Sequence, residues 1–351
     1  MRNRLQSSGV RGIAVALTEG SKVRFVGTWG ERNAAGAPLE PQTIMYGASL
    51  TKAVFAYTVM QLVDEGRLSL DTPLATYLPK PLPEYTEAED DYSAWQHLAG
   101  DERWRKLTAR MLLNHTSGFH NFYWLEADKR LQFHFEPGTR YSYSGDGIIL
   151  LQFVLEKGLG LSVGDEMQRR VFAPFGMSRT SLKWRSDFAA NSAEGWDEAG
   201  KAFEHDQRSR VRAAGSMDTT IADMARFSAA VHTRHPGWLR AMFGPGLPIT
   251  TASQFPVLQP DAPRDQQISG LAAGLGVVTF KGPQGPGFFK GGHNDTTGNV
   301  WVCLERSQRC VVILANDVRA EALFPGIVER LIGKTGLPWQ WEYGVKPWTK
   351  L

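Results

Sequence analysis

The chain has 351 residues, of which 42% are hydrophobic, 11% aromatic and 21% charged, a composition that excludes disordered, collagen-like and coiled-coil classes. At roughly 150 residues per domain this suggests about two domains, or one large domain carrying an insertion. Thirty-nine Lys plus Arg against 36 Asp plus Glu give a net charge of +3 without any basic block, so nucleic acid is not an expected partner.

The start, Met1 to Arg11, is polar and basic with no apolar run after it, which reads as a soluble chain without an export signal, the compartment staying open. Gly12 to Leu17 and Lys22 to Gly27 alternate or run apolar around Glu19-Gly20-Ser21, the pattern of an antiparallel hairpin. From Ser49 to Glu65 there is neither Gly nor Pro, and Ala53 to Val63 is apolar on nearly all sides; a buried helix is expected, ended by Gly66. Pro79 to Asp91 is acidic and Pro-rich and reads as a surface excursion. Helices are expected at Ala109 to Asn114, Gly147 to Lys157 and Ile221 to His232, the last capped by Thr219 or Thr220. Strand patterns return at Leu275 to Phe280, Gly298 to Leu304 and Cys310 to Asn316, before a helix from about Ala320 to Ile332.

Strands therefore sit at both ends of the sequence and helices between. Short connections imply antiparallel pairing, which gives an α/β fold: one antiparallel sheet built from both termini, with a helical region inserted. The expected division is 1–75 with 208–351 as the sheet region and 76–207 as the mostly helical region, an active site lying at their interface. No apolar stretch approaches the roughly 20 residues of a membrane span. Cys303 and Cys310 match no zinc or redox spacing and are expected as reduced thiols, although a tight hairpin at Arg306-Ser307 would set them opposite each other. His232 and His235 lack an evident third metal ligand, and neither a metal nor an organic cofactor is implied.

Three segments can carry chemistry. Ser49-Leu50-Thr51-Lys52 holds the only Ser followed three residues later by Lys. On the first turn of a helix these positions share a face, and apolar surroundings would strip the lysine of its proton so that it could activate the hydroxyl. A serine at a helix start is equally the usual N-cap. Tyr141-Ser142-Tyr143-Ser144-Gly145 enters a helix, and a phenol beside a lysine could relay a proton. Phe288-Phe289-Lys290-Gly291-Gly292-His293 precedes a strand, its small residues either admitting substrate to a sheet edge or making a turn.

In this order and spacing the segments resemble the serine β-lactamase and penicillin-binding-protein superfamily, in its class C-like branch of esterases, peptidases and β-lactamases. Leu112 to Gly118, Phe175 to Thr180, Ala214 to Met217 and Ala222 to Phe227 extend the likeness over most of the chain. The resemblance implies Ser49 as acylated nucleophile, Lys52 as its base, Tyr143 as the phenol of a Tyr-x-Asn motif and Lys290 as the Lys of Lys-Thr-Gly. The backbone N–H groups of Ser49 and His293 would form the oxyanion hole. A register with His293 in the lysine's place would set Asp295 where a small residue is needed, so Lys290 is preferred, with His115 structural. Gly145 stands for the motif's Asn and Gly291 for its Thr, which argues for small esters or amides over β-lactams or D-amino-acid peptides. Gly145, Gly291 and Gly292 would then flank the substrate, and Phe119, Phe122, Tyr123 and Trp124 would line an apolar acyl pocket or simply pack a core. A binding or scaffold protein that kept the fold is the alternative outside enzymes.

Overall fold

The computed structural model describes residues 7–86, 92–234, 236–242, 244 and 246–347. Seven strands form one antiparallel sheet: β1 (Gly12–Glu19), β2 (Lys22–Gly30), β3 (Ala272–Ala273), β4 (Val278–Gly282), β5 (Gly285–Asn294), β6 (Thr297–Leu304) and β7 (Arg309–Ala315), in the order β2-β1-β7-β6-β5-β4-β3. The termini are interleaved, because β1 pairs with β2 on one edge and with β7 on the other, Ile13 opposite Ala315 and Leu17 opposite Val311.

The central strands β1, β5, β6 and β7 alternate between two cores, since successive side chains leave opposite faces. Ala14, Ala16, Phe288, Trp301, Val312 and Leu314 face a large cluster that contains α1 (Leu50–Asp64). Ile13, Val15, Phe289, Val300, Val302 and Ile313 face a smaller one closed by Phe324, Ile327 and Val328 of α5 (Phe324–Ile332) and by Trp341 of α6 (Trp339–Tyr343). Helix α1 is buried from Leu50 through Leu62, which is why its sequence is apolar all round. The remaining helices that bear on the site are α2 (Ala109–Leu113), α3 (Gly145–Lys157) and α4 (Ile221–Arg234), where Thr220 Oγ1 accepts from the Asp223 N–H. Among the described residues no helix is long and apolar enough to cross a membrane.

Several expectations shift. The strand sought from Leu275 begins at Val278, because Gly276 turns with φ +77° against the backbone of α1. The helix sought from Ala320 opens as a 3₁₀ turn, Val318–Leu323, and becomes α-helical only where Pro325, which lacks an N–H, takes a first-turn position. Lys290 to His293 do precede the strand expected from Gly298, now β6, but they themselves lie inside the ten-residue strand β5 and form no turn. Of the Pro79 to Asp91 excursion, residues 87–91 lie outside the described residues, as does His235.

The cysteines are not free thiols: Cys303 and Cys310 form a disulfide. The β6–β7 register sets them directly across from each other, the hairpin geometry that sequence spacing left open. His232 Nε2 lies 3.2 Å from Cys310 Sγ, so the cystine is the neighbour of this histidine.

Candidate active site

Ser49 occupies the N-cap position of α1, yet its side chain makes no capping hydrogen bond. Its Oγ accepts from Tyr143 OH at 2.7 Å and from Lys52 Nζ at 3.0 Å. The residue before it, Ala48, has φ +45°, a left-handed conformation that costs a non-glycine residue roughly 1–2 kcal/mol. The surroundings hold it there: Gly47 N–H donates to Met217 O at 2.8 Å, and Thr51 Oγ1 donates to Ala48 O at 2.6 Å. The strain sets Ser49 at the mouth of a cleft rather than over the helix end.

Lys52 is 1% exposed and also donates to the Ala214 carbonyl. Burial, and next the charge of Lys290, hold its ammonium well below the usual lysine range. The Ala214 carbonyl thus engages one N–H of the Lys52 head group while another points to Ser49 Oγ. Tyr143 is buried, and burial pushes its phenol above the ordinary tyrosine range despite the hydrogen bond to Ser49, so it stays protonated. Both lysines lie over its ring, Lys52 Nζ at 5.0 Å and Lys290 Nζ at 5.1 Å from the centroid.

The start of α3 fixes that phenol. Ser144 caps the helix by accepting from Gly147 N–H at 3.0 Å, and its own N–H donates to His115 Nδ1 at 3.2 Å. The His115 ring lies 4.4 Å from the Tyr143 ring, and burial holds its imidazole well below the usual histidine range.

Strand β5 forms the opposite wall. A Cβ on Gly292 would stand 3.1 Å from the backbone N atoms of Ser49 and Leu50 and from Gly47 O, so glycine lets the strand lie against the start of α1 without the shift of a few tenths of an ångström that a side chain would require. Lys290, two residues earlier, leaves the same face and is 4% exposed. Its Nζ donates to Gly291 O at 2.8 Å, and burial pulls its ammonium down to about 8 against the opposing charge of Glu342. His293 leaves the other face, its Nδ1 3.1 Å from Glu321 Oε1. Burial disfavours its charge, but Glu321 outweighs that and holds the imidazole above its usual range.

Ser49, Lys52, Tyr143, Lys290, Gly291, Gly292 and His293 line one cleft of about 1160 Å³. Four of the expected substrate neighbours stand elsewhere. Phe119 is wholly buried, packed on Phe133 with centroids 4.6 Å apart, and belongs to the core. Tyr123 and Trp124 line an adjoining pocket of about 510 Å³, and Phe122 borders both. Gly145 is covered, since a Cβ there would meet the Phe122 ring at 2.2 Å; the ring fills the space that a larger residue would take. The offset arises because Asn121 Oδ1 accepts from Gly145 N–H at 2.9 Å and Asp146 Oδ2 from Tyr123 N–H at 2.6 Å, tying this irregular segment to α3.

Asn121, Gln254, Phe255 and Glu342 also line the cleft and were not found from sequence. They lie outside the three motifs, and the only signal for Glu342, an acidic residue in the aromatic run Trp339 to Tyr343, has no spacing that ties it to Lys290.

Comparison with known proteins places this arrangement. The chain is 30% identical over 176 residues to lovastatin esterase of Penicillium rubens, covering 42% of this chain and 43% of that protein. It is 25% identical over 179 residues to a D-aminopeptidase of Gluconobacter oxydans, covering 49% of this chain and 32% of the other. It therefore spans under half the length of these curated relatives. A solved class C beta-lactamase in complex with cefoxitin superposes with a TM-score of 0.69 over 90% of this chain and 91% of that one at 18% identity, a likeness of fold. The profile described as Beta-lactamase matches residues 1–330. With that match over nearly the whole length and the antiparallel sheet of its structural neighbours, the chain belongs to the Beta-lactamase family, whose fold is that of serine hydrolases.

Proposed function

We propose that the protein hydrolyses small esters or amides, esters foremost, through an acyl-enzyme at Ser49. The observation that carries the reading is the pair of contacts at one oxygen: Ser49 Oγ lies 3.0 Å from a buried Lys52 amine and 2.7 Å from the Tyr143 phenol. A neutral Lys52 can take the Ser49 proton as Oγ bonds to the substrate carbonyl carbon, and the displaced π electrons settle on the carbonyl oxygen. The Ser49 and His293 N–H groups are assigned to that oxygen, a type of contact that contributes about 10²- to 10³-fold in rate. As the tetrahedral species collapses, the bond to the leaving group breaks and the proton passes from Lys52 to it by way of Tyr143. Water then repeats the sequence on the acyl-enzyme. Lys290 supplies positive charge beside the developing oxyanion.

The preference for esters over β-lactams rests on Phe122, whose ring covers Gly145 and fills the space an amide side chain would need to meet an acylamino group. The name lovastatin esterase, borne by a relative matching less than half of this chain, agrees with it. The cleft is assigned to the junction of the sheet region, 1–75 with 208–351, and the helical region, 76–207.

The test is the intact mass of wild-type and Ser49→Ala protein after brief exposure to a short-chain aryl ester and, separately, a penicillin, with product release followed in parallel. Ester turnover lost in the variant, with no rapid release from penicillin, is expected. Unchanged turnover in Ser49→Ala overturns the nucleophile, and fast penicillin hydrolysis overturns the ester preference.

A further inference from the structure

The cleft carries a charge of the opposite sign to the molecule. Whereas the chain is +3, the described residues lining the cleft include eight carboxylates (Glu194, Asp197, Glu198, Glu204, Asp206, Asp295, Glu321 and Glu342) against four Lys or Arg (Lys52, Arg208, Lys290 and Lys346). Some are answered locally: Asp206 pairs with Arg208, and Lys346 lies between Glu198 and Glu321. Glu342 makes no ion pair with a described residue, although the charges of Lys290 and His293 act on it from further off. It is 4% exposed, and Oε2 accepts from Gln254 Nε2 at 2.7 Å, Gln254 being held in turn by Tyr141 OH on its Oε1 at 2.5 Å. Oε1 takes no hydrogen bond from any described residue. That oxygen stands against β5 at Gly291, where a Cβ would meet it at 1.8 Å.

Burial raises the Glu342 carboxyl while Lys290 and His293 pull it back toward the ionised form, and an ionised oxygen in the cleft wall is completed best by a charged donor. An anionic substrate would be repelled by Glu342 and attracted by Lys290, whose ammonium that same carboxylate already offsets. Resting on the serine-hydrolase reading above, we infer that the cleft selects ammonium-bearing esters or amides over carboxylate-bearing ones, with Glu342 as the specificity-determining residue. The acidic rim draws in the cation; Glu342 Oε1 receives it alongside Gly291.

The experiment uses two matched series of aryl esters, with ammonium, methyl or carboxylate at one position of the acyl chain in the first and of the alcohol in the second. In wild type the ammonium ester should exceed the carboxylate ester in kcat/KM by about tenfold or more in at least one series, and the ratio should fall as salt is added. Glu342→Gln, which keeps the shape and an oxygen for Gln254, should cut that ratio at least about threefold. Equal or better use of the carboxylate ester in both series, or a ratio unmoved by Glu342→Gln in a variant with native circular dichroism, overturns the inference. Calorimetric binding of the corresponding amides to Ser49→Ala separates the two readings. Tighter binding of the ammonium amide upholds the selectivity even where no ester is turned over and the hydrolase reading fails; tighter binding of the carboxylate amide sinks it.

Discussion

Ser49 stands at a helix N-cap without acting as a cap, and Lys52, three residues on, is fully buried in a protein where nearly every other lysine is solvated. Replacing Lys52 by Met keeps the packing and removes the base, which should lower kcat/KM for an ester by about 10²- to 10⁴-fold while leaving the circular dichroism native. The pH dependence follows from two lysines of opposite duty. As pH rises, Lys52 loses its proton at a pH well below that of an ordinary lysine, because burial and the Lys290 charge disfavour its ammonium, so the rate climbs on the acid side. A further rise through about 8 removes the Lys290 proton, and a rate aided by that cation declines. A bell-shaped kcat/KM profile that loses its alkaline limb in Lys290→Gln is the expected result; an unchanged alkaline limb in that variant would assign it to another group. Gly292→Ala puts a methyl 3.1 Å from three backbone atoms around Ser49. It should slow acylation in single-turnover kinetics far more than it changes the melting temperature, because the strand need shift only by tenths of an ångström.

Among the elements, β5 and the hairpin of β6 and β7 do most to shape the site. The disulfide between Cys303 and Cys310 closes a short loop, for which the chain-entropy estimate is about 2 kcal/mol. A reductant, or the double Cys303→Ser and Cys310→Ser change, should lower the urea midpoint accordingly while leaving the site chemistry in place. The motif Ser49 to Lys52 was readable because it lies on one helical turn, where sequence spacing and spatial distance coincide, and Tyr143 because it is tied to the well-patterned α3. Phe119, Tyr123 and Trp124 were misplaced for the converse reason. Their segment has no regular period, so a shift of a few residues that only tertiary hydrogen bonds decide puts Phe122 in the cleft and Phe119 in the core. Strand β5 was missed because Lys290 to Gly292 lack the alternation that marks a strand, being small where the backbone must approach Ser49. Glu342 was illegible: its meeting with Gly291 depends on the register of β5 and the path of the chain after α5.

At the scale of the whole molecule, that path carries weight. The match to the family profile ends at residue 330, yet α6 beyond it brings Trp341 into the smaller core, and Tyr343 OH donates to Asn299 O at 2.7 Å. Trp341 also anchors the Gln254 segment, its O accepting from Gln254 N–H at 2.8 Å and its Nε1 donating to Thr251 O at 3.1 Å. Trp341→Ala should therefore cost about 3–5 kcal/mol by large-to-small truncation of a core residue, measured by chemical denaturation. A loss under about 1 kcal/mol would mean that this segment is an accessory to the core.

The interleaving of the two termini also orders events during synthesis. Residues 12–30 carry both β1 and β2, but the other partner of β1, β7, comes only at 309–315, far later in the sequence. Until then β1 offers an apolar, unpaired edge to any other strand in reach, while α1 has no sheet to bury its far side against. Ser49 can meet the Gly292 strand only once β5 has been made, so a chain interrupted before β5 has every residue of the Ser-x-x-Lys turn and no wall opposite it. The nascent chain is thus open to wrong pairing for most of the sheet's synthesis, and the cleft is completed with the last sheet strands rather than built up along the way.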